Sequence, residues 1–322
     1  MLIQGGKVMN LDNVAYTQYQ KRIASAMDYI QANLKNNPDL KSVARKAHLS
    51  PFHFHRIFKL VVGETVADFT RRIRLEKAAG VFFYHKDISV TEVALELGFS
   101  SSQNMAKSFK QHFNLTPSDI RQLTSREELH HLLSNNSKSG NMRRKNGNAK
   151  TSELAYAQSP VSTSEDGTLS MDIKIVDFEE RQVIYKRLMG VSGQGIQEAF
   201  SELHQFAKRH DLPIADPIYL IWDNPEITPM DRCRADACIT LTSEVSNVAP
   251  FNTQTIAAGK YAQIRTIVKN EHEFDMTWES LFQQILTSGY QPEDKPCFKI
   301  LHNESSDPLK GIFDVSFCAC VK

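Results

Sequence analysis

The sequence predicts two domains of different class. The first is all-α and holds two helix-turn-helix modules; the second is α+β and is built from two similar β-α-β-β units. Three observations carry this. Residues 40–69 and 90–120 are imperfect copies of one another with helical patterning. Residues 218–241 and 298–321 are imperfect copies with strand patterning. Between them lies "SNNSKSGNMRRKNGNAKTSELAYAQSPVSTSEDG" (134–167), a polar stretch with too few large apolar residues to offset its chain entropy. The expected boundaries are an N-terminal extension (1–17), the all-α domain (18–132), a flexible linker (133–168) and the α+β domain (169–322).

Within the first half, Ile23, Met27, Ile30 and Leu34 form one stripe at helical spacing, and "NNPDL" ends that helix. The repeat follows. Val43-Ala44 match Val93-Ala94, Arg56 matches Lys107, Phe58-Lys59 match Phe109-Lys110, and Thr65 matches Thr116, with one residue inserted near Ser100–Ser101. Each copy reads as an apolar-striped helix, a short turn and a second helix, the outline of a helix-turn-helix. Ser50 with Pro51 caps the second helix of one copy, and Ser100 or Ser101 that of the other. A longer helix, "VADFTRRIRLEKAAGVFFYH" (66–85), joins the two copies.

Charge separates the halves. Residues 1–150 carry 23 Lys/Arg against 12 Asp/Glu, and the rest 15 against 25, so a net of +1 conceals +11 and −10. A basic half joined to an acidic one points to a polyanionic partner for the first only. "MRRKNGNAK" (142–150) reads either as a solvated basic linker or as a phosphate contact.

"HLSPFHFHRIFK" (48–59) holds three histidines within eight positions. A helical metal pair needs ligands at i,i+3 or i,i+4. His53 and His55 stand at i,i+2, about 200° apart around a helix. No cysteine lies in this half, so no metal site is expected. On a helical wheel Phe54, Ile57 and Phe58 face the core, while Phe52, His55, Arg56 and Lys59 face outward. In the second copy Met105 and Phe109 turn inward; Ser102, Gln103, Ala106 and Lys107 turn outward. A solvated basic face would look the same in isolation. The repeat and the charge favour double-stranded DNA, because a guanidinium can fork onto guanine and an aromatic ring can meet a thymine methyl. Lys107, a point charge in place of a fork, favours phosphate over base.

In the second half, "DIKIVDF", "QVIYKRL", "DACITLTSEV", "YAQIRTIV", "FKILHN" and "DVSFCACV" read as strands, and "IQEAFSELHQFAKRH" and "FDMTWESLFQQILTSG" as amphipathic helices. Asp236 and Asp314 occupy matching places in the two copies. Two units facing one another leave a cleft, a usual place for a small molecule. The five cysteines, all in this half and odd in number, read as reduced buried thiols. No apolar run approaches the roughly 18 residues of a membrane helix, and the N-terminus lacks an export signal, so a cytoplasmic protein with no membrane partner is expected. No nucleophile elbow or metal spacing appears, and no cofactor is expected.

Residues 20–123 resemble the AraC/XylS-type DNA-binding domain, through "VARKAHLSPFHFHRIFK", "RIRLEKA", "VTEVALELGFSSSQNMAKSFKQHF" and "LTPSDIR". The resemblance implies two helix-turn-helix modules joined by a long helix, with both recognition helices in adjacent major-groove segments about 34 Å apart. It places Phe52, His55, Arg56, Ser102, Gln103 and Lys107 where the family contacts bases. A usual Gly is Asn114 here, a residue that tolerates positive φ.

Residues 171–322 resemble the GyrI-like effector-binding domain, chiefly through "DNPEITPMDRCRADACITL" (223–241), with "AGKYAQIRTIV", "WESLFQQIL" and "GYQPEDKPCFKI". In that family the two repeats enclose a pocket for hydrophobic, often cationic compounds, with a glutamate on a P-x-F-E-x-Y strand. Here the strand reads Pro296-Cys297-Phe298-Lys299-Ile300-Leu301, so lysine stands at the glutamate position and leucine at the tyrosine position. A desolvated ammonium repels a cation. If Lys299 faces the pocket, an anionic or neutral apolar effector is expected; alternatively Lys299 snorkels to solvent. Tyr219, Ile221, Trp278, Phe282 and Leu301 are the other candidate lining residues. Some family members hydrolyse small electrophiles using that glutamate as a base, an activity lysine argues against. The expectation is a non-enzymatic transcription regulator that senses a small molecule and biases its hold on DNA or on RNA polymerase. A small-molecule hydrolase with a DNA-targeting domain, or a ligand-free interaction module, are the alternatives.

Overall fold

The structure, a computed structural model, describes residues 13–136, 171–190, 193–212, 215, 217–241, 248–293, 295–307 and 312–322. Two compact units divide between Thr124 and Ser125, with Val248–Asn252 grouped with the first. The basic "MRRKNGNAK" stretch lies outside the described residues.

The first unit is helical: α1 (Asn13–Ala32), α2 (Leu40–Lys46), α3 (Pro51–Val62), α4 (Val66–Tyr84), α5 (Val90–Glu96), α6 (Ser102–Phe113) and α7 (Pro117–Gln122). The stripe predicted on the first helix is buried, although α1 itself stops at Ala32, before Leu34. Short polar side chains start the helices. Ser50 accepts from the His53 amide at 3.4 Å, Thr65 from Asp68 at 3.1 Å, Ser101 from Asn104 at 3.1 Å and Thr116 from Asp119 at 3.2 Å. The cap of α6 is therefore Ser101. The recognition helices end on left-handed residues in matching places, Gly63 at φ 82° and Asn114 at φ 59°. Within each helix-turn-helix a second matched pair, His48 at φ 52° and Gly98 at φ 74°, makes the turn.

Helix α4 carries buried charge that the sequence patterning does not reveal. The Arg72 guanidinium is shared by Glu64 at 2.6 Å and Glu76 at 2.9 Å, tying the loop after α3 to the long helix. Arg74 donates to the Leu34 carbonyl and Arg121 to the Ile88 carbonyl. The arginines of "RIRLEKA" and "LTPSDIR" are thus scaffold: Arg72 and Arg74 tie α4 to the loops that flank the first helix-turn-helix, and Arg121 ties α7 to the loop before α5.

The second unit contains α8 (Arg126–Asn136), α9 (Gly193–Arg209), α10 (Glu271–Thr287) and eight strands: β1 (Lys174–Phe178), β2 (Arg181–Met189), β3 (Ile218–Ile221), β4 (Arg234–Thr240), β5 (Asn252–Ile256), β6 (Gly259–Val268), β7 (Cys297–Asp307) and β8 (Ile312–Val321). Helix α8 groups here rather than with the all-α unit, and it runs to Asn136, four residues into the stretch read from the sequence as linker. Strand β5 was not anticipated.

One sheet has the order β1-β6-β8-β7-β3-β4-β2-β5. The units β2-α9-β3-β4 and β6-α10-β7-β8 are joined by antiparallel pairing of β3 with β7 at its centre. The internal repeat recurs as two ion pairs with the same 49-residue separation. Arg187 grips Asp236 at 2.8 and 2.7 Å, and Arg265 grips Asp314 at 3.0 and 2.9 Å. The matched aspartates of the two copies are thus structural.

Helix α9 packs on β2 and β4, and α10 on β6 and β8. The central strands β3 and β7 are left as the floor between the two helices. The sheet buries one apolar layer around Phe178, Tyr261 and Phe298 and a second, under α10, around Ile264, Leu281 and Phe317.

Candidate functional site

In the first unit the exposed face of each recognition helix follows from what its opposite face buries. On α3, Phe54 and Phe58 are fully buried, 5.5 Å apart, with Phe58 edge-on to Phe69. This turns Phe52, His55, Arg56 and Lys59 outward, and Phe52 is 75% exposed. The Arg56 guanidinium lies over the Phe52 ring, 5.8 Å from its centroid and one turn away. Leu60, also exposed, extends this face.

On α6, Met105, Phe109 and Phe113 are buried. Gln103 and Lys107 are exposed, and Ser102 is half-buried with its hydroxyl 3.3 Å from Gln103 Oε1. Asn104, exposed between them, donates to Ser100 at 2.8 Å. The three histidines of 48–59 occupy separate settings. His48 forms the turn, His53 stacks 6.0 Å from Tyr19, and His55 stands on the outward face.

In the second unit strand register brings Lys299 beside Tyr219, its antiparallel partner, with Phe317 on its other side. Its ammonium lies 4.8 Å from the Tyr219 ring centroid and 4.6 Å from that of Phe274. Burial pushes the Lys299 amine down to about 8, against a partial upward pull from Asp275. Yet the side chain keeps some open surface. Ile221 and Leu301 lie on the same face of β3 and β7, and Trp278 stacks on Phe282 at 6.1 Å. Phe274 was missed from the sequence, although it stands one turn before Trp278 and two before Phe282 on α10.

Arg126 of α8 closes one side. It pairs with Glu226 and lies 5.1 Å over the Phe282 ring. Glu226 is thus already paired with a cation of the chain itself.

The Tyr219 hydroxyl is buried and has no hydrogen-bond partner among the described residues. Burial pushes the pKa of this hydroxyl far above the usual phenol range, so it stays protonated. Tyr219→Phe is expected to leave urea stability unchanged or raise it by up to about 1 kcal/mol, since it removes an unsatisfied polar atom and keeps the ring under Lys299. A loss of similar size would mean that the hydroxyl is held by a bound group.

Comparison with known proteins agrees with both units. A family of helix-turn-helix domains matches residues 43–123, and the GyrI-like small molecule binding domain matches residues 171–314. A probable transcription factor of Proteus vulgaris, PqrA, is 34% identical over 110 residues, 34% of this chain and 89% of its own length. The chain belongs to the AraC-type regulators that carry a GyrI-like domain. A DNA gyrase inhibitor of Yersinia enterocolitica is 28% identical over 159 residues, 47% of this chain and 98% of that protein. The C-terminal domain of AraT, a response regulator of Geobacillus stearothermophilus, is 25% identical with a TM-score of 0.30, covering 32% of this chain and 88% of its own. This AraC-type chain thus joins a DNA-binding helix-turn-helix unit to a small-molecule binding domain, the composition of an effector-sensing transcription regulator. Among the described residues no helix is long and apolar enough to cross a membrane.

Proposed function

We propose that α3 and α6 read adjacent major-groove segments of one duplex. In this reading Phe52, His55 and Arg56 contact bases, Ser102 and Gln103 make a second set of base contacts, and Lys59 and Lys107 hold phosphates. The observation that carries it is the exposed Phe52–Arg56 pair on a capped, core-anchored helix. Phe52 and Leu60, both exposed, put apolar surface on a basic helix face, where thymine methyls would cover it. Arg56→Ala is expected to lower specific affinity by about 1–3 kcal/mol and to relax preference at one base pair. Lys107→Ala should weaken binding to all sequences alike and flatten the salt dependence. Selected-site binding measures both; full sequence preference in Arg56→Ala rejects the assignment.

The second unit, in this proposal, senses an anionic or neutral apolar molecule in the cleft over β3 and β7. Lys299, Tyr219, Ile221, Trp278, Phe282 and Leu301 line the cleft, and Phe274 joins them. Occupancy changes the hold on DNA or a contact with RNA polymerase. We read the cleft as non-catalytic, because it presents an ammonium where hydrolytic relatives present a carboxylate base. The similarity to gyrase inhibitors supports a second reading, direct action on gyrase, and a supercoiling assay with the full chain separates the two.

A further inference from the structure

We infer that Lys299 is a nucleophilic amine that captures apolar aldehydes in the cleft as a reversible imine, so that the effector class includes reactive carbonyl compounds. This rests on the cleft being the effector site and specifies the chemistry of that site.

Four observations lead here. First, the residue opposite Lys299 on each neighbouring strand is aromatic, Tyr219 on β3 and Phe317 on β8. A lysine in such a row pays a desolvation cost that an aliphatic residue would avoid, and groups perturbed in this way cluster at functional sites. Second, the ammonium rests on two ring faces, at 4.8 and 4.6 Å, and no hydrogen bond or ion pair of its Nζ occurs among the described residues. An amine with no hydrogen-bonded carboxylate is available for attack whenever it is deprotonated. Third, Lys299 is not fully covered, which leaves an approach to the residue from solvent. Fourth, Trp278, Phe282 and Leu301 continue the apolar lining on which an aldehyde's chain would lie.

The amine's lowered proton affinity supports this. At neutral pH about a tenth of such amines are neutral, far more than for a solvent-exposed lysine.

The step balances. The ammonium gives one proton to solvent. The amine lone pair adds to the carbonyl carbon, and a proton passes from the added nitrogen to the carbonyl oxygen to give a neutral carbinolamine. That hydroxyl then leaves as water, with a proton from solvent, as the C=N bond forms. The iminium product keeps one positive charge over the same two ring faces, where a cation is favoured.

The test uses the full chain with 3-phenylpropanal, which cannot undergo conjugate addition, and borohydride to fix any imine. Peptide mass mapping is expected to find Lys299 modified at least about tenfold faster than the other lysines. Lys299→Met should lose that adduct while thermal unfolding shows it folded. Lys299→Arg, which keeps the charge and cannot form the adduct, should retain non-covalent binding of 3-phenylpropanoate. Labelling of Lys299 no faster than of surface lysines overturns the proposal. If 3-phenylpropanoate or 3-phenylpropanol still stabilises the protein, only covalent capture falls; if neither does, the effector reading of the cleft falls with it.

Discussion

Gly98→Ala is expected to destabilise the first unit by about 2–5 kcal/mol, and the physical reason is local. Gly98 makes the turn of the second helix-turn-helix at φ 74°, a conformation that costs an L side chain roughly 1–2 kcal/mol. A methyl there would also meet the Leu34 carbonyl, the Lys35 carbonyl at 2.7 Å and the Arg74 guanidinium at 2.6 Å. The carbonyls belong to the end of the first helix region and Arg74 to α4, so relief of the clash must push both elements away from the turn. Gly63→Ala is the internal control. Its φ is 82°, but nothing lies within 4 Å of the added methyl, so only the backbone cost of about 1 kcal/mol is expected. Urea unfolding followed by helical circular dichroism measures both. Equal losses for the two variants would show that the packing of Gly98 does not matter.

Lys299→Glu is expected to invert the charge preference of the cleft. The wild-type chain should favour an aromatic carboxylate over a quaternary ammonium of similar size. The variant should reverse that order, each by roughly tenfold or more, which is about 1.4 kcal/mol. Calorimetric titration checks it; unchanged preference would place Lys299 outside the site. A pH dependence follows from the same group. Folded, its amine titrates at about 8; unfolded, near 10.5. Carboxylate affinity that needs the ammonium should hold below about pH 8 and fall as pH rises through it. Stability moves the other way. Between the two values the unfolded chain binds a proton that the folded chain does not, so stability rises with pH across that window. The difference between wild type and Lys299→Met isolates this group from the tyrosines and thiols that titrate nearby. A flat difference from pH 8 to 10 would mean the amine is not desolvated.

The sequence by itself determined what depends on near neighbours in the chain. Helix caps such as Ser50, and Ser100 or Ser101 in the second copy, act over three residues. Apolar stripes such as Ile23-Met27-Ile30 repeat every turn. The positive φ of Asn114 is a property of one residue type in one place. The recognition-helix faces were legible for the same reason, because burying Phe54 and Phe58 leaves Phe52, His55 and Arg56 only one way to point. For α6 the wheel was less sharp, and Ser102 and Ala106, expected outward, are half-buried. Internal duplication made both repeats visible, since a pattern seen twice needs no knowledge of what it packs against.

Only the tertiary structure decided what depends on partners distant in the chain. Glu64, Arg72 and Glu76 look like ordinary helix-surface charges until packing encloses them. Arg187 with Asp236 and Arg265 with Asp314 meet because strands 49 residues apart share a register. Helix α8 reads as a continuation of the all-α half, yet its first residue, Arg126, pairs with Glu226 and covers Phe282. For Lys299 one register, β3 against β7, sets the amine over the Tyr219 ring, and α10 brings Phe274 to it. Side-chain period can show that a residue faces one side of a strand. Which rings wait on that side is settled by strand pairing and helix docking, and those are long-range contacts that no local pattern encodes.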